Sequence, residues 1–102
     1  MSGLKASSRP SANTWTTIFT ATAPIVVNIS ACNRAGSTTD VSIATVPSGA
    51  TRGPEHEIEA GTDVASSSVI ERTGIVLGIG DKIDVSSANG DVAFNVWGVL
   101  LS

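Results

Sequence analysis

The chain has one cysteine, one histidine, no tyrosine, two phenylalanines and two tryptophans in 102 residues. A lone Cys32 excludes an intrachain disulfide and a cysteine-built zinc cage. Charge is sparse as well. Charged residues make up 15% and the net charge is −3, too weak and of the wrong sign to grip nucleic acid electrostatically. No apolar run approaches the roughly 18 residues of a membrane span. The opening MSGLKASSRPSAN has no apolar core of a secretory signal. The expectation is a chain made and folded in a reducing cytoplasm, with neither nucleic acid nor membrane as partner.

Catalytic patterns are missing too. No serine sits in a Gly-x-Ser-x-Gly elbow, and His56 lies in a Glu-rich stretch where a surface role outweighs a triad role. Gly74, Gly78 and Gly80 match neither a Walker loop nor a dinucleotide fingerprint, and they read as bends and close-packed strand positions. Cys32 falls in a β pattern and reads as a structural thiol. Glu55, His56, Glu57, Glu59 and Asp63 form the only dense set of metal-capable groups. A hard cation such as Ca²⁺ wants about six to eight converging oxygens, and one strand face supplies few. The set reads instead as a charged edge that discourages unwanted strand pairing. The reading is a non-enzyme, with no catalytic, cofactor-binding or metal site.

What is present is Val, Ile and Ala, with abundant Ser, Thr and Gly; hydrophobic residues total 41% and aromatics 4%. β-Branched side chains lose rotamer freedom in helices and pack well on pleated surfaces, so sheet is favoured. A single domain of this length buries about two-thirds of its unfolded surface. Its core, built from small apolar residues, gains stability from oligomerisation.

Along the chain, residues 1–13 are polar, interrupted by Pro10, and carry Lys5 and Arg9 without an acid. They read as an extended arm that could reach about 45 Å, with Leu4, Lys5 and Arg9 as anchors on a partner. The remainder, 14–102, reads as one β domain. Strands are expected at 15–22, 25–33, 40–46, 74–79, 82–87 and 91–101. A strand is less well marked at 64–73, and 55–60 reads as an edge strand or loop with its glutamates outward. Val27, Ile29 and Ala31 share one face of the second strand; Asn28, Ser30 and Cys32 share the other. The short polar loop after Asn33 predicts a hairpin to the next strand. Asn89-Gly90, flanked by alternating residues, predicts another. Seven or eight short strands without a convincing helix predict a single antiparallel β-sandwich of jelly-roll or immunoglobulin-like type. In the last strand, Val92, Phe94 and Val96 share one face, while Trp97, Val99 and Leu101 fall on the other. A strand apolar on both faces is either central or covered by a partner, so these three are candidate subunit-interface residues.

Two stretches carry a family resemblance. The tail LGIGDKIDVSSANGDVAFNVWGV resembles small bacteriophage virion proteins with a Leu-x-x-Gly-Asp-x-Ile/Val-x-Val segment, a turn, and a Val-x-Phe-Asn-x-x-Gly-Val strand. The middle VVNISACNRAGSTTDVSIATVPSGA is similar to the same proteins. The matching positions are Cys32, Asn33, Arg34, Pro47, Gly49, Gly80, Asp81, Val85, Phe94, Asn95 and Gly98, in segments covering about half the chain. The front differs, because the arm stands where such proteins have a longer fibre-attachment region. The Glu-rich middle also lacks the aromatics of that pattern. The resemblance implies a virion structural protein, foremost a capsid decoration (cement) protein. Such a protein binds the major capsid protein or other virion subunits as a homo-oligomer, a dimer or trimer, and its location is the virion. A tail, neck or fibre-associated module is the alternative. A carbohydrate-binding β-sandwich is third, since aromatics for sugar stacking are few.

Overall fold

The computed structural model describes residues 2–101. Its elements are β1 (Ser2–Ser8), β2 (Thr16–Thr20), β3 (Ile25–Asn33), β4 (Thr39–Val46), β5 (Glu57–Val64), β6 (Val69–Leu77), β7 (Lys82–Ser87) and β8 (Val92–Leu100). A single 3₁₀ turn, Pro54–His56, precedes β5. The chain is all-β, with eight strands in two antiparallel four-stranded sheets. One sheet has the order β1-β8-β3-β6 and the other β2-β7-β4-β5.

Alternation in the sequence becomes alternation in burial. In β3, Ile25, Val27, Ile29, Ala31 and Asn33 are buried while the residues between them are half-exposed. In β8, Val92, Phe94, Val96 and Gly98 point inward. These residues meet Val41 and Ile43 of β4, Ile83 and Val85 of β7, Val64 of β5 and Leu77 of β6 in one core shared by both sheets. Each fully buried large side chain contributes roughly 1.5–3 kcal/mol of transfer free energy.

The pairing departs from the sequence reading in three places. First, residues 2–8 are not a free arm: β1 pairs antiparallel with β8, from Ser2 opposite Val99 to Ser8 opposite Phe94. Ala6 packs on the core and Pro10 is buried. The segment has little hydrophobic alternation because it is an edge strand whose partner supplies most of the apolar surface. Second, the expected hairpins at Asn33–Thr39 and Asn89-Gly90 are crossings between sheets. Neither Asn89 nor Gly90 adopts positive φ. Instead Asn89 Oδ1 accepts the Asp91 N–H at 2.8 Å, a side-chain turn that lets the chain leave its sheet. Third, the two strands expected at 64–73 and 74–79 are one strand, β6, with a bulge. Its register with β3 slips between Val27 and Ile29, and there Gly74, at φ 68°, donates its N–H to Asn28 Oδ1 at 3.0 Å. Glycine suits this left-handed bulge position because it has no Cβ.

Only β4 and β5 are consecutive in sequence and adjacent in a sheet; every other connection crosses over. The pairs β4–β5, β3–β6, β2–β7 and β1–β8 nest outward from that one hairpin. The crossings β1–β2, β3–β4, β5–β6 and β7–β8 gather at one end. They are joined by Asn13 N to Ser87 O, Arg34 N to Asp91 O and Ser66 Oγ to Ala35 O. The buried Asn33 amide donates to Ser37 O at 2.8 Å and Val64 O at 3.0 Å, and its Oδ1 accepts the Ala35 N–H.

Candidate functional site

The outer faces of the two sheets differ. On the β2-β7-β4-β5 sheet, Ala44, Val46 and Asp84 point away from the core yet are buried. The chain covers them itself. The β4–β5 connection folds back so that Arg52 stacks on Trp15, 3.9 Å from the ring centroid, and approaches Glu57 at 3.8 Å. Beside them, Thr17 Oγ1 donates to Asp84 at 2.6 Å.

The outer face of the β1-β8-β3-β6 sheet has no such cover among the described residues. Register aligns Val99 with Val26 and Val26 with Val76, and Leu4 with Trp97. Leu4 is 66% exposed, Val99 54% and Val76 67%, with Trp97 and Val26 half-buried between them. Together they form an apolar patch over all four strands in two adjacent register rows, Val99–Val26–Val76 and Leu4–Trp97. It joins Leu4 of the expected arm to Trp97 and Val99 of the expected interface. Leu101, also exposed, lies just past β8, its N–H donated to Pro24 O. The signal for Val26 and Val76 was available only through the β3–β6 and β3–β8 registers.

The same face turns polar toward the gathered crossings. Arg9 and Arg34 both reach Asp91 Oδ1 through their Nη1 atoms, at 3.4 and 3.2 Å. Ser7 Oγ donates to Asn95 Oδ1 at 2.7 Å. These groups border an open groove of about 390 Å³. Lys5, the remaining arm residue, is half-buried at the β1 bulge between Leu4 and Ala6. Arg34 and Asn95 became neighbours of Arg9 only on folding; their separation in sequence hides the cluster.

The acidic set does not form a shared outward row. Glu55 lies in the 3₁₀ turn, 3.8 Å from His56 Nε2. Glu57 faces Arg52. Glu59 accepts from Arg72 at 2.9 Å and from Thr62 Oγ1 at 2.5 Å, tying the β5 edge to the β6 edge. His56 Nδ1 accepts the Gly53 N–H at 3.0 Å and so closes the turn. Asp63 stands directly opposite Asp40. The hydrogen bond shared between these two carboxyls, and then their mutual repulsion, raise the pKa of Asp40 above the usual carboxylate range. Among the described residues no three His, Cys, Asp or Glu side chains gather as a metal-binding group. Cys32 is a free, half-exposed thiol on the outer face of β3.

Comparison with protein-family models, with curated proteins and with solved structures gives no match for this chain, so the likeness to phage virion proteins rests on the two sequence segments alone.

Proposed function

We propose that this chain is a jelly-roll β-sandwich serving as a virion structural protein, a capsid decoration (cement) protein that assembles as an oligomer and stabilises the shell. Supporting the fold reading, the nested pairs β4–β5 out to β1–β8 form one long antiparallel ribbon rolled into two sheets, and jelly rolls recur in viral capsid proteins. Fold alone does not assign function.

The observation that carries the functional reading is the exposed apolar patch of Leu4, Trp97, Val99, Val26 and Val76. Contiguous exposed apolar surface marks a contact face, and on this chain one sheet is covered by its own loop while the other is open. The occupant assigned to the patch is a second copy of the chain. The oligomer then meets a repeating capsid lattice through several equivalent contacts, whose avidity compensates for weak individual ones.

Sedimentation of the wild-type protein beside a Leu4→Ser/Val99→Ser variant tests the patch. The expected result is an oligomer for the wild type and a monomer of unchanged melting temperature for the variant. A wild-type protein that sediments as a monomer at all accessible concentrations sinks the assignment. Quantitative mass spectrometry of purified particles tests the location. A copy number comparable to that of the major capsid subunit supports decoration, and a far lower one assigns the chain to the tail or neck.

A further inference from the structure

We propose that the groove bordered by Arg9, Arg34, Ser7 and Asn95 is a docking site for a carboxylate side chain on an extended acidic peptide segment of a partner protein. The inference deepens the assembly reading by giving the partner's chemistry, and it rests on different residues from the apolar patch.

The argument begins with donors and acceptors. Asp91 Oδ1 takes one N–H from each of two guanidinium groups. Asn95 Oδ1 takes the Ser7 hydroxyl proton. What remains turned to the groove is an excess of donors. Each arginine has five N–H groups, and an asparagine amide has two. Asn95 Nδ2 donates to no described residue. A surface so composed accepts an acceptor, and an anionic one most strongly, because charge-assisted hydrogen bonds to guanidinium are roughly twice as strong as neutral ones.

Charge and convergence narrow the class. Two arginines against one aspartate leave a single uncompensated positive charge, on a protein whose net charge is −3. One carboxylate balances it, whereas a phosphate dianion overshoots and faces Asp91. The arginines also converge on one anchor. Asp91, their common anchor, is fixed by its N–H to Asn89 Oδ1 and by its carbonyl to the Arg34 N–H. The anchor brings the two guanidinium groups to one point, while each arginine side chain stays more than half exposed.

Two further observations favour a peptide over an acidic sugar. The groove runs across the sheet end from Ser7 and Ser8 of β1 over residues 93–95 of β8 to Arg34, an elongated shape that suits an extended chain, and it reaches β1, the sheet's edge strand, where a peptide can add main-chain hydrogen bonds. The one aromatic residue at the groove, Phe94, is fully buried with its ring in the core, so no stacking platform faces a sugar.

The test titrates ¹⁵N-labelled protein with an acetylated, amidated Thr-Val-Glu-Val-Thr peptide and with its Gln counterpart, following backbone and side-chain amide signals. The Glu peptide is expected to shift Ser7, Ser8, Arg34 and Asn95, the Gln peptide to leave them in place. Arg34→Gln is expected to weaken binding about tenfold or more, the loss of one charge-assisted contact. Its exposed position leaves the melting temperature as a check on folding. Equal shifts with both peptides, or none at millimolar Glu peptide, overturn the proposal. So does inorganic phosphate or glucuronate binding the same residues more tightly than the Glu peptide. Because the titration uses the isolated protein, its failure leaves the sedimentation result untouched, and the reverse also holds.

Discussion

Asn33 does for the gathered crossings what a metal does in smaller domains. It sits at the inward end of β3, fully buried, and its side chain links three segments through backbone carbonyls and an N–H. Replacing it by alanine removes the buried donor to the Ser37 and Val64 carbonyls, and Asn33→Ala is expected to cost about 2–3 kcal/mol, read from urea unfolding. A change below half a kilocalorie, the size typical of about any neutral surface substitution, would mean that water replaces the amide. Gly98 is a packing counterpart. A Cβ there would sit 2.3 Å from Val26 O and 3.0 Å from Val27 Cα, both backbone atoms that cannot swing aside. Gly98→Ala is expected to lose about 1–3 kcal/mol through overpacking. Gly36→Ala, with nothing within 4 Å of the added methyl, serves as the neutral control. Neither role is legible in the sequence, where Asn33 is a polar residue ending an alternating strand. Its Val64 partner lies 31 residues away.

At the scale of the element, β1 and the β4–β5 hairpin behave differently from what their composition conveys. β1 contributes Ala6 to the core margin and covers the edge of β8. Deleting residues 1–8 is therefore expected to lower the melting temperature and to promote aggregation through the newly open β8 edge. Unchanged thermal unfolding of the truncated protein would return this segment to the status of a loose arm. In the hairpin, Asp40 and Asp63 are opposed like charges at an exposed edge. Because the folded-state pKa of Asp40 is raised, folding takes up a proton as pH falls through that raised value. The repulsive penalty is present in full above it and relieved below it. Asp63→Asn is expected to raise the melting temperature at neutral pH and to leave it nearly unchanged at acidic pH, where the wild type has already protonated. A variant no more stable than wild type at neutral pH would show that solvent screening removes the effect.

The strands themselves were largely legible. Period-2 alternation placed Ile25–Asn33 and Lys82–Ser87 at their observed bounds, and it put Val92, Phe94 and Val96 on the core face. Alternation reports which face of a strand is buried, not which strand lies beside it. That is why Asn89-Gly90 looked like a hairpin turn, and why Gly74 looked like a strand boundary when it is a bulge. The candidate site was legible in halves. Trp97 and Val99 stood out as a second apolar face and Leu4 as an anchor, but their union on one sheet needed the pairing of β1 with β8.

For the whole molecule, the distribution of contacts is nonlocal: the strand nearest the N-terminus pairs with the one nearest the C-terminus, and most connections change sheets. Loop closure must precede those pairings, so folding is expected on a timescale of about milliseconds to seconds, as for other β-rich two-sheet domains. Stopped-flow tryptophan fluorescence would follow it, since Trp15 and Trp97 report on opposite sheets. Relaxation within microseconds would contradict the topology.

The central placement of β8 bears on synthesis as well. Sheet β1-β8-β3-β6 has a gap between β1 and β3 until Val92–Leu100 has been made. A chain emerging from the ribosome can close the β4–β5 hairpin early, but it holds β1 and the inner edge of β3 unpaired until β8 clears the exit tunnel. Completion of this sheet therefore waits on the synthesis of β8. Until then the nascent chain exposes adhesive edges, and crowded polysomes are where its losses to aggregation would concentrate.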